Sequence, residues 1–472
     1  MKINSGVNKN IGNAFYQYFA SFTATLSLVI SGMHYGWPSP SLPILLDEFS
    51  IIPITEDTGY WLANMPMFGA LVGCLSASVL VDHLGRRKTI IACAFPYIAS
   101  WMMIYFATNV ELILTARFIA GISDGLAFSA VPIYIGEITE PRIRGFLGSA
   151  VSVAWILGML LIDIIGSYCS LKEAALISCI FPVVLIITTL LVPESPYFLL
   201  MKGKTKEATK NLRTLRGCYA IEAELDTIQS AIKEDMARKT NPTAMFLVSS
   251  NRKALFVVLI LRGAQEFSGD SAITFYTQNI ISEAGSSLTA DVASIIFFTL
   301  ELIVTAVASI MVDRIGRRPL LIFSVSGACV SLLTQGIYYY IKICTNIDVT
   351  EFSLIPLIAL FIFVICFSSG LKIIPMLMLG ELFPQDVKAA AVCFVDYYNV
   401  ALVTCSSKFF QVTRDTFGMH VPFLFFGFFC GIALVPITIY VPETKGKTLQ
   451  EIQDYFTGRK TVKEDYNGKS SM

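Results

Sequence analysis

The chain has 472 residues, 54% of them hydrophobic and 15% charged, with no formal net charge and a mean hydropathy of +0.65. That composition is too apolar for an ordinary water-soluble globular protein, and the even charge balance excludes the basic surface that nucleic-acid binding needs. Lipid must be the solvent for most of the surface, so an all-α membrane protein is expected.

A helix needs roughly 20 apolar residues to cross the hydrocarbon core, and twelve runs of about that length follow in chain order. They cover 14–35, 60–81, 89–107, 112–135, 146–168 and 174–191, then 254–281, 290–311, 320–341, 355–383, 389–410 and 423–440. The first run lacks a small-residue cleavage site and reads as a retained span, not a signal peptide. Trp37-Pro38-Ser39-Pro40 should break it at the outer boundary. Between the sixth and seventh runs hydrophobicity collapses, with helical patterns at 204–215 and 220–237, which indicates a linker of amphipathic helices. A last helical signal at 448–456 precedes a polar end with the composition of disorder. The expected division is therefore a six-helix bundle at 1–192, a linker at 193–253, a second bundle at 254–440 and a tail at 441–472. Lys and Arg gather at 83–88, 142–144, 202–253, 314–318 and from Lys445, whereas 37–58 holds only acids. The linker, the tail and both termini are accordingly expected in the cytoplasm.

The eleven cysteines fall mostly inside spans, where a thiol is a small apolar filler. For Cys169 and Cys344, near the outer ends, a disulfide is the lesser alternative to two thiols. His83 and His420 have no partners at metal-ligand spacing, and Ser195 lacks a nucleophile elbow. Neither a metal, a cofactor nor an enzymatic reaction is expected.

The most informative pattern is a duplication. Asp82-His83-Leu84-Gly85-Arg86-Arg87-Lys88 returns half a chain later as Asp313-Arg314-Ile315-Gly316-Arg317-Arg318-Pro319. Pro193-Glu194-Ser195-Pro196 returns as Pro442-Glu443-Thr444, and Gly136-Glu137 with Arg144-Gly145 returns as Gly380-Glu381 with Lys388-Ala389. Each acid and each base falls at the cytoplasmic end of a span, so charge clusters can assemble in each half without entering lipid.

With these motifs, and with Arg117-Phe118 leading to Gly121, nearly the whole chain resembles the sugar porter family of the major facilitator superfamily. The spelling Glu137-Ile138-Thr139-Glu140-Pro141 is most similar to the insect trehalose-transporter branch. The resemblance implies a major facilitator fold of twelve transmembrane helices in two six-helix halves, with a central sugar site and alternating access. It implies that Arg86 and Arg87 pair with Glu137 and Glu194, and Arg317 and Arg318 with Glu381 and Glu443. Together with Asp82, Arg144, Asp313 and Lys388 these would latch the cytoplasmic face while the site opens outward.

For the substrate, the resemblance points to Gln265, Ser271, Tyr276 and Asn399 as groups for sugar hydroxyls. Departures gather at the same place: Glu266 and Ser271 replace a glutamine and an asparagine, Ser152 another glutamine, Glu301 an asparagine and Met376 a tryptophan. Lys372 stands in a broken stretch of the tenth span, where it could neutralise Glu301, Glu266 or Asp270. Charges at that depth cost about 2.5–3.5 kcal/mol or more each, so they mark either an ion pair or direct contact with a solute. The first span has no acid, which leaves Arg117 without the partner used for proton coupling in such porters and favours uniport. The leading expectation is a plasma-membrane facilitative carrier of trehalose or a hexose, whose partners are the sugar and the bilayer. A carrier of another polar or charged solute, a proton-coupled symporter using Asp163, Glu266 or Glu301, and a non-transporting sugar sensor are the alternatives.

Overall fold

A computed structural model describes residues 15–457 except 218–220, 238–242, 286–287, 346, 348, 350–351 and 448. The polar end expected to be disordered lies outside the described residues.

The spans form because apolar runs satisfy their own backbone polar groups, the only solution available in hydrocarbon. In the first half they run Phe15–Gly36, Glu56–Leu84, Arg86–Tyr105, Val110–Ile138, Pro141–Tyr168 and a sixth in two pieces, Leu171–Ser178 and Ile180–Leu190. Several start earlier than hydropathy alone suggests, because a polar cap and acidic first turn extend the helix beyond its apolar part. Thr55 accepts from the Thr58 amide, Asn109 accepts from that of Leu112, and Ser170 and Glu173 form a capping box. Trp37 leads directly into a short helix, Pro38–Leu46, so the proline pair redirects the chain instead of ending helical structure.

In the second half the eighth, ninth, eleventh and twelfth spans are Ala290–Ile315, Arg317–Cys344, Gln385–Phe417 and His420–Tyr440. The seventh and tenth are discontinuous. The seventh runs Ser249–Glu266, Asp270–Phe275 and Thr277–Ala284, and the tenth runs Leu354–Ser369 and Ile374–Leu382.

Among the described residues, nine of the twelve are long and apolar enough to cross a membrane on length and hydropathy alone. The first carries several polar residues, and the seventh is broken. In the first, Gln17, Ser21, Thr23, Thr25, Ser27 and Ser31 are all buried against protein, so lipid never meets them.

Helices in lipid gain nothing from hiding apolar surface, so close backbone approach must hold them. The first half does this with glycine. Gly69 and Gly73 of the second span face Gly121 and Gly125 of the fourth, and a Cβ on Gly69 would stand 2.1 Å from the Phe118 carbonyl oxygen. Gly32 of the first span and Gly158 of the fifth interlock in the same way.

Linker helices Thr205–Arg216 and Glu222–Ala237 follow the first half. Arg216 donates to the Ile138 carbonyl at 2.8 Å and to Glu224 at 2.6 Å, while Gln17 donates to the Leu215 carbonyl at 3.1 Å. These bonds seat the first linker helix on the first half. Tail helix Leu449–Thr457 rests on the second, where Lys253 donates to the Phe456 carbonyl at 2.7 Å. Linker and tail helix define a terminal face; the opposite end is the far face. Cys169 and Cys344 are both free thiols.

Candidate functional site

The duplicated motifs build the same clasp twice at the terminal face. Spans two and eight end at Gly85 and Gly316, whose φ values of 97° and 108° lie where L side chains are strained. The following arginine turns back. Arg86 bonds Glu137 at 2.9–3.1 Å and Asp82 at 3.3 Å; Arg317 bonds Glu381 at 2.8 Å and Asp313 at 2.9 Å. The acid is completed by a hydroxyl from the motif that follows each half: Ser195 donates to Glu137, and Thr444 donates to Glu381 at 2.5 Å.

Arg87 and Arg318 act differently from the guanidinium–carboxylate pairs that the resemblance implies. Glu194 accepts the backbone N–H of Arg87 at 3.0 Å, and Glu443 accepts those of Arg317 and Arg318, both at 3.0 Å. The carboxylates thus cap the N-termini of spans three and nine. The guanidiniums go instead to the open carbonyls that end spans six and twelve: Arg87 to Thr189 and Leu190 at 3.0 and 2.8 Å, Arg318 to Thr438. Each group meets the helix end whose partial charge opposes its own. For Glu443, burial raises the carboxyl pKa, but the amides of Lys445, Arg317 and Arg318 and the Arg317 charge outweigh it, and the group is held below its ordinary value.

Arg144 donates to the Thr139 carbonyl at 3.1 Å and Lys388 to the Gly380 carbonyl at 2.9 Å. Both close their own loops. Among the described residues, the ion pairs at this face run within a half.

At the far face they run between halves. Glu56 of the second span meets Arg414 of the eleventh at 2.6 Å, and Asp57 meets Lys408 at 2.6 Å. Deeper, Asp163 of the fifth span accepts from Ser39, Gln278 and Ser294 at 3.0, 3.3 and 2.6 Å. Tyr60 donates to the Thr404 carbonyl, and Ser407 donates to Asn64.

At mid-membrane the breaks of spans seven and ten bring most candidate substrate residues together. Gln265 accepts from Arg262 at 2.9 Å and donates to the Lys372 carbonyl at 3.5 Å. Ser271 donates to Glu266 at 2.6 Å and accepts from Tyr35 at 2.9 Å. Of the partners open to Lys372, Asp270 and Glu301 are taken, at 3.1 and 2.9 Å; Glu266 is satisfied by Ser271. Tyr276 lies further out, stacked on Phe410 and under Arg414. Its hydroxyl and Asn399 Oδ1 are buried without a hydrogen-bond partner among the described residues. Ser152 and Asn399 are half-buried, and Met376 is exposed.

Arg117 finds backbone in place of the missing acid. It donates to the Leu62 carbonyl at 3.0 Å and to that of His34, with the Trp37 ring 5.0 Å away. Sequence reading passed over Arg262, although a lone arginine inside an apolar run is itself a signal. It also passed over Asp124, which accepts from Tyr97 at 2.7 Å, and over both far-face pairs, whose partners lie at opposite ends of the chain.

A family model described as sugar (and other) transporter matches residues 54–456. The facilitated trehalose transporter Tret1 of Apis mellifera ligustica is 34% identical over 445 residues, covering 94% of this chain and 88% of the relative. Its counterpart in Culex quinquefasciatus is 33% identical over 449 residues, covering 94% and 86%. Among solved structures, the inward open conformation of the xylose transporter XylE from E. coli matches with a TM-score of 0.77 at 20% identity, covering 93% of this chain and 99% of that one. XylE bound to 6-bromo-6-deoxy-D-glucose gives 0.74 at 22%, covering 94% and 100%. The structural likeness speaks for the fold, and the family match and the relatives speak for lineage: the chain belongs to the sugar (and other) transporter family and is a multi-pass membrane transporter with the major facilitator fold.

Proposed function

We propose that the protein is a facilitative sugar carrier of the plasma membrane, with trehalose as the first substrate to test and a hexose as the second. The terminal face is the cytoplasmic one, as its Lys and Arg content favours. Residues 1–192 and 254–440 are the two moving bodies, 193–253 links them, and 441–472 is the tail.

The observation that carries the reading is two buried polar atoms without a partner among the described residues, Asn399 Oδ1 and, further out, the Tyr276 hydroxyl. Buried polar groups without partners are rare and costly, and a sugar hydroxyl is a neutral group that would satisfy them. Ser152, half-buried on the other half, adds a hydroxyl, and Ser271 with Glu266 closes the outer side of the site.

Alternation follows from where the bonds lie. Among the described residues, ion pairs join the halves at the far face and stay within a half at the terminal face, which supports a carrier open to the cytoplasm. Opening outward breaks Glu56–Arg414, Asp57–Lys408 and the Asp163 cluster. The two clasps then meet across the cytoplasmic face, with Arg144 and Lys388 supplying charge between them. Uniport is favoured because the hydrogen bonds of Arg117 go to the carbonyl oxygens of Leu62 and His34 and, among the described residues, it forms no ion pair with an acid.

Uptake of labelled trehalose and glucose into oocytes tests this. Saturable flux of at least one sugar, unchanged between external pH 5.5 and 7.5, is expected. No saturable flux of either, with the protein shown at the surface, would reject it.

A further inference from the structure

The seventh and tenth spans both lose helical geometry near mid-membrane. The seventh stops at Glu266, turns through Gly269 at φ 83° and restarts at Asp270; the tenth stops at Ser369 and restarts at Ile374. Such breaks are tolerated in a membrane only where neighbours hold the freed segments.

Lys372 lies inside the second break and reaches the residue that restarts the helix after the first. Its Nζ is 3.1 Å from each Asp270 carboxylate oxygen and 2.9 Å from Glu301 Oε1 on the eighth span. The three side chains are only 5, 11 and 2% exposed. An ammonium has three donors, and these three oxygens account for all of them. The rings of Trp155 and Phe367 stand 5.2 and 5.7 Å from the same nitrogen. This side chain has no donor left for a solute, whereas its own backbone carbonyl accepts from the Gln265 amide.

We propose that Lys372, Asp270 and Glu301 are positioning residues: an ion triad that splints the two helix breaks to the eighth span and holds Gln265 toward the sugar, without itself touching the solute. The triad also carries motion between the halves, because Trp155 belongs to the fifth span of the first half. It rests on the carrier reading above. Removing the lysine alone strands two buried carboxylates, which is far more damaging than removing all three charges together.

The test compares wild type, Lys372→Gln, Lys372→Arg and the neutral triple Lys372→Gln/Asp270→Asn/Glu301→Gln. Initial rates of trehalose uptake are normalised to surface amount, and thermal unfolding is followed in detergent. Lys372→Gln should lose Vmax by about tenfold or more with KM within about threefold, while the triple and Lys372→Arg return to within about threefold of wild type. A Lys372→Gln protein that fails to fold while the triple folds supports the triad equally. The proposal is overturned if Lys372→Gln raises KM with Vmax kept, if the triple does no better than the single variant, or if all variants unfold with wild type. Should wild type move neither trehalose nor glucose, the carrier reading fails, and the unfolding series alone decides the triad.

Discussion

Gly85 and Gly316 show how much of the terminal-face clasp depends on one missing carbon. Each has a positive φ, and a Cβ there would stand 2.6 Å from Glu194 Oε2 or 2.7 Å from Glu443 Oε2. Gly85→Ala therefore suffers twice, by backbone strain and by expulsion of the capping carboxylate, and should destabilise the first half by about 1–3 kcal/mol. A lower unfolding temperature in detergent than for Gly145→Ala checks it, since a Cβ on Gly145 meets nothing within 4 Å.

Glu443 makes a second residue-level prediction. Its folded pKa lies below its unfolded value, because burial is outweighed by three amide donors and Arg317. The folded state then binds fewer protons than the unfolded one near that range, so the contribution is fully present above the unfolded value of about 4.3 and is lost as pH falls through the folded one. Unfolding temperature measured from pH 7 to pH 3 should fall less steeply for Glu443→Gln than for wild type below about pH 4.5. Parallel curves would contradict the capping role.

At the scale of elements, the second and eleventh spans are joined at the far face by two ion pairs, each with an exposed acid, although Arg414 itself is buried. Such pairs contribute about 0.2–1 kcal/mol each, enough together to bias a two-state equilibrium by a few-fold and little enough to break in every cycle. Glu56→Gln/Asp57→Asn should favour the outward-open state and speed labelling of Ser407→Cys by an impermeant maleimide about two- to tenfold, in a cysteine-depleted background. The exchange Glu56→Arg/Arg414→Glu should bring the rate back toward wild type. High salt should act in the same direction as the neutral pair. Unchanged labelling would mean that the Asp163 cluster alone closes this face.

For the whole molecule, the two halves were legible in the chain because topology places each charged phrase at a span end, and the duplication repeats it. The family resemblance implies Arg86–Glu137 and Arg317–Glu381, and both pairs form. The roles of Arg87 and Arg318 were not legible, since their partners are backbone carbonyls and a helix-end carbonyl leaves no mark in a sequence. Ser195 and Thr444 were likewise hidden, as uncharged residues beside the acids of their motifs. The choice of Lys372 among three acids needed geometry, because Gly269 turns Asp270 toward the tenth span while Ser271 draws Glu266 away. Glu56–Arg414 and Asp57–Lys408 join opposite ends of the chain, and no local pattern announces a bond of that kind. The substrate pocket was the least legible part, for it is made where two broken helices meet.

Counterflow in proteoliposomes tests facilitative alternating access most directly, because it needs a site that faces each side in turn and needs no driving ion. Vesicles preloaded with unlabelled trehalose and diluted into labelled trehalose should show transient accumulation of label above equilibrium, unchanged when a proton gradient is collapsed. Absence of that overshoot for both trehalose and glucose, or its dependence on the gradient, would contradict a facilitative sugar carrier working by alternating access.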